Sequence, residues 1–124
     1  MAASKTGKIL IIDDDSRNIF ALHAVLRTKG FDCVTAASAE EGLKRLAEED
    51  VAIVLLDMMM PDMDGYETIS LIRSGPHARV PVVSVTAQAM MGDRERSLEA
   101  GADDYISKPI DVDRLLELIH QYTS

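Results

Sequence analysis

VAIVLLDMMMPDMDG, residues 51–65, runs six apolar residues into an aspartate and then breaks into methionines, a proline and a glycine. A short run that is apolar on both faces suits a strand of a parallel sheet covered by helices on each side. The carboxylate that ends it is the odd member. Removing a charge from water is costly unless it is paired or metal-bound, so Asp57 needs partners.

Working outward from this run, KILII (8–12), VPVVSV (80–85) and the weaker DYIS (104–107) repeat the pattern, and DCVTA (32–36) is a short fifth candidate. Helical stretches with readable ends lie between them. Ser38 with Glu41, and Asp64 with Glu67, have capping-box spacing. Gly30 and Gly101 follow helical stretches where a left-handed cap residue is wanted. Val112, Leu115, Leu116 and Ile119 recur as one face of an amphipathic last helix. The chain thus reads as strand then helix five times, with units starting near 8, 32, 51, 80 and 104. That alternation predicts an α/β fold, a doubly wound five-stranded parallel sheet with right-handed crossovers. Ligands of such sheets bind outside the carboxyl ends of the strands, where strand order reverses. Asp13, Asp14 and Asp15 close the first strand, Asp57 the third, Thr86 the fourth and Lys108 the fifth. Four strands deliver polar groups to one edge.

The bulk composition narrows the function classes. At 124 residues the chain fits one domain, with 47% apolar and 27% charged residues. Thirteen basic against 21 acidic residues give a formal net charge of −8, which argues against direct nucleic-acid or anionic-membrane binding. One cysteine, Cys33, permits no internal disulfide, so a reducing compartment is expected. The opening MAASKTGK lacks the apolar stretch of a signal peptide, and no run reaches membrane-spanning length. The expected location is cytoplasmic. No repeat or linker interrupts the alternation, and the sequence stops with the fifth helix, so no output domain is expected. His23, His77 and His120 are scattered and are assigned no chemistry.

Clustered carboxylates repel one another and call for a cation. An all-oxygen donor set favours Mg²⁺ or Mn²⁺ over zinc. Thr86 and Lys108 would be surplus around a purely structural metal. They suit a second anion beside it, and a phosphoryl group with an aspartate as covalent acceptor meets that description. Phosphoryl transfer is catalysed mainly by positioning and charge neutralisation.

IIDDDS at strand 1, LLDMMMPDMDG at strand 3, VTA at strand 4 and YISKP at strand 5 together resemble the receiver domains of two-component response regulators, of the chemotaxis-regulator type. The resemblance implies a flavodoxin-like sheet of order 2-1-3-4-5 and one receiver domain over 1–124, with its core at about 8–122. It implies that Asp57 takes a phosphoryl group from a phosphohistidine on a histidine kinase or histidine phosphotransfer protein, switching the binding of a downstream partner. Asp13, Asp14, Asp57 and the backbone carbonyl of Met59 would hold Mg²⁺. Thr86 and Lys108 would bind the phosphoryl oxygens, and Tyr105 would match the switch aromatic that reorients with Thr86. A cis Lys108–Pro109 bond is expected from the same resemblance. SRNIFAL after strand 1 looks like receivers fused to sensor kinases. The thioether of Met59, two residues after the acceptor, is a poor partner for an attacking water, whereas Gln88 can orient one.

Two rival readings stand beside this one. Haloacid-dehalogenase-like phosphatases also use a strand-1 Asp-x-Asp, a hydroxyl, a lysine and an acidic pair. Asp13, Asp15, Thr86, Lys108 and Asp103–Asp104 can be forced onto that set, in the wrong order and with Asp57 left over. A scaffold of the same fold that works without phosphorylation is the second. Singly, Asp15 or Ser16 reads best as a helix cap, Thr86 as a cap, Lys108 as a surface charge and Asp57 as a turn residue.

Overall fold

The computed structural model describes residues 7–61, 64–76, 78–86 and 91–123, with the backbone alone for 91–94. Strands β1 (Lys8–Ile12), β2 (Cys33–Ala36), β3 (Val51–Asp57), β4 (Val82–Thr86) and β5 (Asp104–Ser107) alternate with helices α1 (Ser16–Thr28), α2 (Ala39–Glu48), α3 (Gly65–Ser74), α4 (Met91–Ala100) and α5 (Val112–Thr123). The strands form one sheet of order β2-β1-β3-β4-β5, every pairing parallel, as the sequence predicts.

Period-two alternation sorts the apolar runs onto two faces. Ile9, Ile11, Ile53, Leu55, Val83 and Val85 pack with Leu22 and Leu26 of α1 and with Leu115, Leu118 and Ile119 of α5. Leu10, Ile12, Val54, Leu56 and Val82 face the other way, onto Leu46 of α2 and Ile69 and Ile72 of α3. Both faces are buried, which is why the runs read as continuous.

The predicted helix signals hold in detail. Ser38 Oγ accepts the Glu41 N–H at 3.1 Å, while Glu41 Oε1 takes the Ala37 N–H at 2.7 Å. Asp64 caps α3 through the N–H groups of Tyr66 and Glu67. Gly30 and Gly101 adopt φ of +91° and +119°, the left-handed region that ends α1 and α4. One strand start and one helix face differ from the reading. β4 begins at Val82 rather than Val80, because Pro81 has no N–H and the Val80 carbonyl accepts from Arg73 instead. The buried face of α5 is Leu115, Leu118 and Ile119, with Leu116 only half-buried, so the apolar stripe is rotated from the one read in sequence.

Candidate functional site

Register assembles the site. Ile12 pairs with Leu56, Asp57 with Val85, and Thr86 with Ser107. Each strand therefore ends level with its neighbour, and Asp13, Asp57, Thr86 and Lys108 emerge at one edge. The order reverses between β1 and β3, so this edge is also where a doubly wound sheet leaves a crevice.

The three consecutive aspartates have three fates. Asp13, 2% exposed, accepts the Asp15 N–H on Oδ1 at 2.8 Å and the Asn18 side-chain amide on Oδ2. Asp14 is exposed. Asp15 caps α1, accepting from the N–H groups of Arg17 and Asn18, while Ser16 is already helical. Asp57 is 3% exposed. Its Oδ1 accepts the Met59 N–H at 2.9 Å, an Asx-type turn that shapes the following loop, and its Oδ2 lies 3.4 Å from Lys108 Nζ. The turn contact and the lysine contact thus use different oxygens of one carboxylate.

One carboxylate oxygen from each of Asp13, Asp14 and Asp57 lies within 4.8 Å of the others. Three hard oxygen donors this close match a small divalent cation. Burial raises the Asp57 carboxyl above its ordinary range; the Met59 N–H opposes this, the Asp13 carboxylate adds to it, and Lys108 opposes it. A cation among the three would relieve that repulsion.

Thr86 is buried at the end of β4, and its hydroxyl donates to Met59 Sδ at 3.8 Å. The Lys108 N–H donates to the Thr86 carbonyl at 2.7 Å, which ties the two anion-binding candidates together through their backbones. The Lys108–Pro109 bond is cis, as expected. Tyr105 is half-buried on the edge strand β5, paired with Ser84, and so shares a sheet face with Thr86. Gln88 and His77 lie outside the described residues, as do Asp62 and Met63 of the strand-3 loop.

The acidic pair of the rival phosphatase reading sits at the far edge. Asp103 Oδ2 accepts from Arg73 at 2.8 Å and from the Val82 N–H at 2.9 Å, at the start of β4. Asp104 accepts the Tyr105 N–H and the Tyr122 hydroxyl. Both acids are occupied by structure, a sheet's length from Asp13.

Two features escaped sequence reasoning. Asn18 orients Asp13, and its only signal is its place in the first turn of a helix that starts beside the aspartates. An open groove of about 770 Å³ runs along α1 past Ser16, Ile19, Phe20, His23 and Arg27 to Thr35, with Phe20 76% exposed. A large aromatic left in water is informative where a scattered leucine is not.

A family model for the response regulator receiver domain matches residues 9–120. The chain is 37% identical over 93% of its length to hybrid signal transduction histidine kinase G of Dictyostelium discoideum, of which it spans only 4%. It is 32% identical over 94% of its length to the polar-differentiation response regulator DivK of Brucella ovis, spanning 96% of that protein. Among solved structures it is similar to the receiver domain of sensor histidine kinase PA1611 from Pseudomonas aeruginosa, which has a magnesium ion coordinated in its active-site cleft. The two share 30% identity and a TM-score of 0.85, over 94% of this chain and 97% of that one.

Proposed function

The chain belongs to the response regulator receiver domain family, and from that premise we propose that Asp57 accepts a phosphoryl group from a phosphohistidine on a histidine kinase or histidine phosphotransfer protein. The observation that carries this is the placement of the Asp57 carboxylate, with Oδ2 3.4 Å from Lys108 Nζ and one of its oxygens within 4.8 Å of oxygens of Asp13 and Asp14. With Oδ1 held in its turn by the Met59 N–H, Oδ2 is the nucleophile. It forms the bond to phosphorus as the donor's P–N bond breaks, and the imidazole leaves neutral, keeping the proton already on its other ring nitrogen. Lys108 and the Thr86 hydroxyl bind the phosphoryl oxygens in place of their present contacts.

Asp13, Asp14, Asp57 and the Met59 carbonyl hold Mg²⁺, with Mn²⁺ as a substitute; the all-oxygen cluster supports this, as does the magnesium in the PA1611 receiver. When bound, the cation neutralises charge between the carboxylates and the incoming phosphoryl group. Thr86 drawn toward the phosphoryl group leaves room into which Tyr105 turns, altering the β4–β5 surface that a downstream partner reads. The protein is a signalling phosphoacceptor that assists its own phosphorylation and dephosphorylation. It acts as one receiver domain over 1–124 with its core at about 8–122, and in the cytoplasm. Among the described residues no helix is long and apolar enough to cross a membrane.

The phosphodonor docks along α1. Phe20 and Ile19 offer apolar contact one to two turns from the aspartates, on the same edge as Asp57. The test separates donors of different size. Acetyl phosphate and a phosphorylated phosphotransfer protein should both label the wild type, and neither should label Asp57→Asn. Phe20→Ala should keep its labelling by acetyl phosphate while transfer from the protein donor falls about tenfold or more, the loss expected of an aromatic anchor. Full labelling of Asp57→Asn by either donor would sink the assignment.

A further inference from the structure

Three consecutive methionines sit in three different environments. Met60 is 5% exposed and belongs to the core. Met58 is half-buried, its thioether lying over Gly65 so closely that a Cβ there would meet it at 2.5 Å. Met59 is 45% exposed, and its sulfur receives the Thr86 hydroxyl. Of these three thioethers, only that of Met59 is open to solvent and also touches a group the phosphoryl site uses. As packing, an exposed Met59 gains little; as a contact, it is an acceptor for the Thr86 hydroxyl when no phosphoryl group is bound.

We propose that Met59 is an oxidation site through which a peroxide lowers phosphorylation of Asp57. The proposal rests on the phosphoacceptor reading of Asp57 and adds a regulator to that site. The chemistry is an oxygen transfer. A sulfur lone pair attacks one peroxide oxygen, the O–O bond breaks, and the sulfur is oxidised by two electrons to the sulfoxide. The second oxygen leaves as water after taking up a proton. A thioether is a weak acceptor, so the 3.8 Å contact is easily given up to a phosphoryl oxygen. A sulfoxide oxygen is a strong, dipolar acceptor. It holds the Thr86 hydroxyl in an ordinary hydrogen bond and places partial negative charge where the phosphoryl oxygens must come. Sulfoxides are reducible enzymatically, so the effect is reversible. Cys33 competes poorly for the oxidant, since burial and then Asp32 push its thiol up to about 11 and leave little thiolate at neutral pH.

The experiment treats the full chain with hydrogen peroxide, follows each methionine by peptide mass spectrometry, and measures initial labelling with acetyl phosphate and Mg²⁺. Met59 should gain oxygen before Met58 and Met60. Labelling should then slow about fivefold, the worth of one net hydrogen bond, and recover after treatment with methionine sulfoxide reductases. Met59→Leu, compared with its own untreated sample, should lose the response to peroxide. Oxidation of Met58 or Met60 ahead of Met59 overturns the proposal. So does an undiminished rate in protein oxidised at Met59, or an equal slowing in Met59→Leu. Untreated wild type that takes no label at Asp57 overturns the phosphoacceptor reading, and this proposal with it, before peroxide is added.

Discussion

Asp57 is held in the native state at a cost that a cation or a proton can remove. Its carboxyl is raised first by burial and further by Asp13, against the pull of the Met59 N–H and Lys108. As pH falls, the native protein therefore takes up this proton before the unfolded chain does. Without metal, the penalty is fully present above the raised native pKa and vanishes below the unfolded value. Asp57→Asn removes the charge at nearly constant volume, and Lys108, partly exposed, stays solvated. The variant should melt higher than wild type at neutral pH in chelator, with the gap narrowing as the pH falls toward about 4 and gone below it. A gap that is absent at neutral pH, or independent of pH, would contradict the electrostatic account. At this scale the sequence was most informative where residues had no other explanation. Asp13, Asp57, Thr86 and Lys108 stood out because each ended an apolar run. Asn18 did not, since one amide in a helix has many bland uses and only three-dimensional contact with Asp13 singles it out.

Between elements, the least expected contact is Arg73. From the last turn of α3 its guanidinium donates to the carbonyls of Gly101, Ala78 and Val80 and to the Asp103 carboxylate. It joins the ends of α3 and α4 to the start of β4. Arg73→Ala should destabilise the fold by roughly 2–3 kcal/mol in denaturant unfolding, through lost charge-assisted bonds and stranded carbonyls. Arg73→Lys should recover less than half of that, because one ammonium cannot reproduce the planar fork. Labelling at Asp57 should persist in both variants well below their melting temperatures, since the clamp lies at the opposite edge of the sheet. Loss of labelling in folded Arg73→Lys would show coupling that the geometry gives no reason to expect. No sequence pattern announced this clamp, whose partners lie up to 30 residues away. Strand identities and caps were legible because both follow local rules. The face of α5 was not, because Leu116 and Leu118 are equally apolar and only packing chooses between them.

For the whole molecule, the acidic cluster ties stability to metal. Mg²⁺ that binds the native cluster and not the unfolded chain should stabilise by about 2.7 kcal/mol at a hundredfold excess over its dissociation constant. For a domain of this size that is a rise in melting temperature of about 10 °C. Asp14→Asn should melt slightly above wild type in chelator, slightly because Asp14 is exposed, and should lose most of the response to Mg²⁺. Matched ionic strength separates site binding from screening. A full response in Asp14→Asn would remove Asp14 from the metal site. The doubly wound topology was readable because apolar runs alternating five times with helical stretches admit few other arrangements, and the topology then forced the polar strand ends together. If that gathering makes an acceptor site, the phosphoryl group must be found on Asp57. After labelling with acetyl phosphate and Mg²⁺, borohydride reduction converts an aspartyl phosphate to homoserine, which peptide mass spectrometry can map. Homoserine at position 57 alone is the predicted result. Homoserine at position 13, with Asp57 intact, would contradict the receiver account and restore the phosphatase reading.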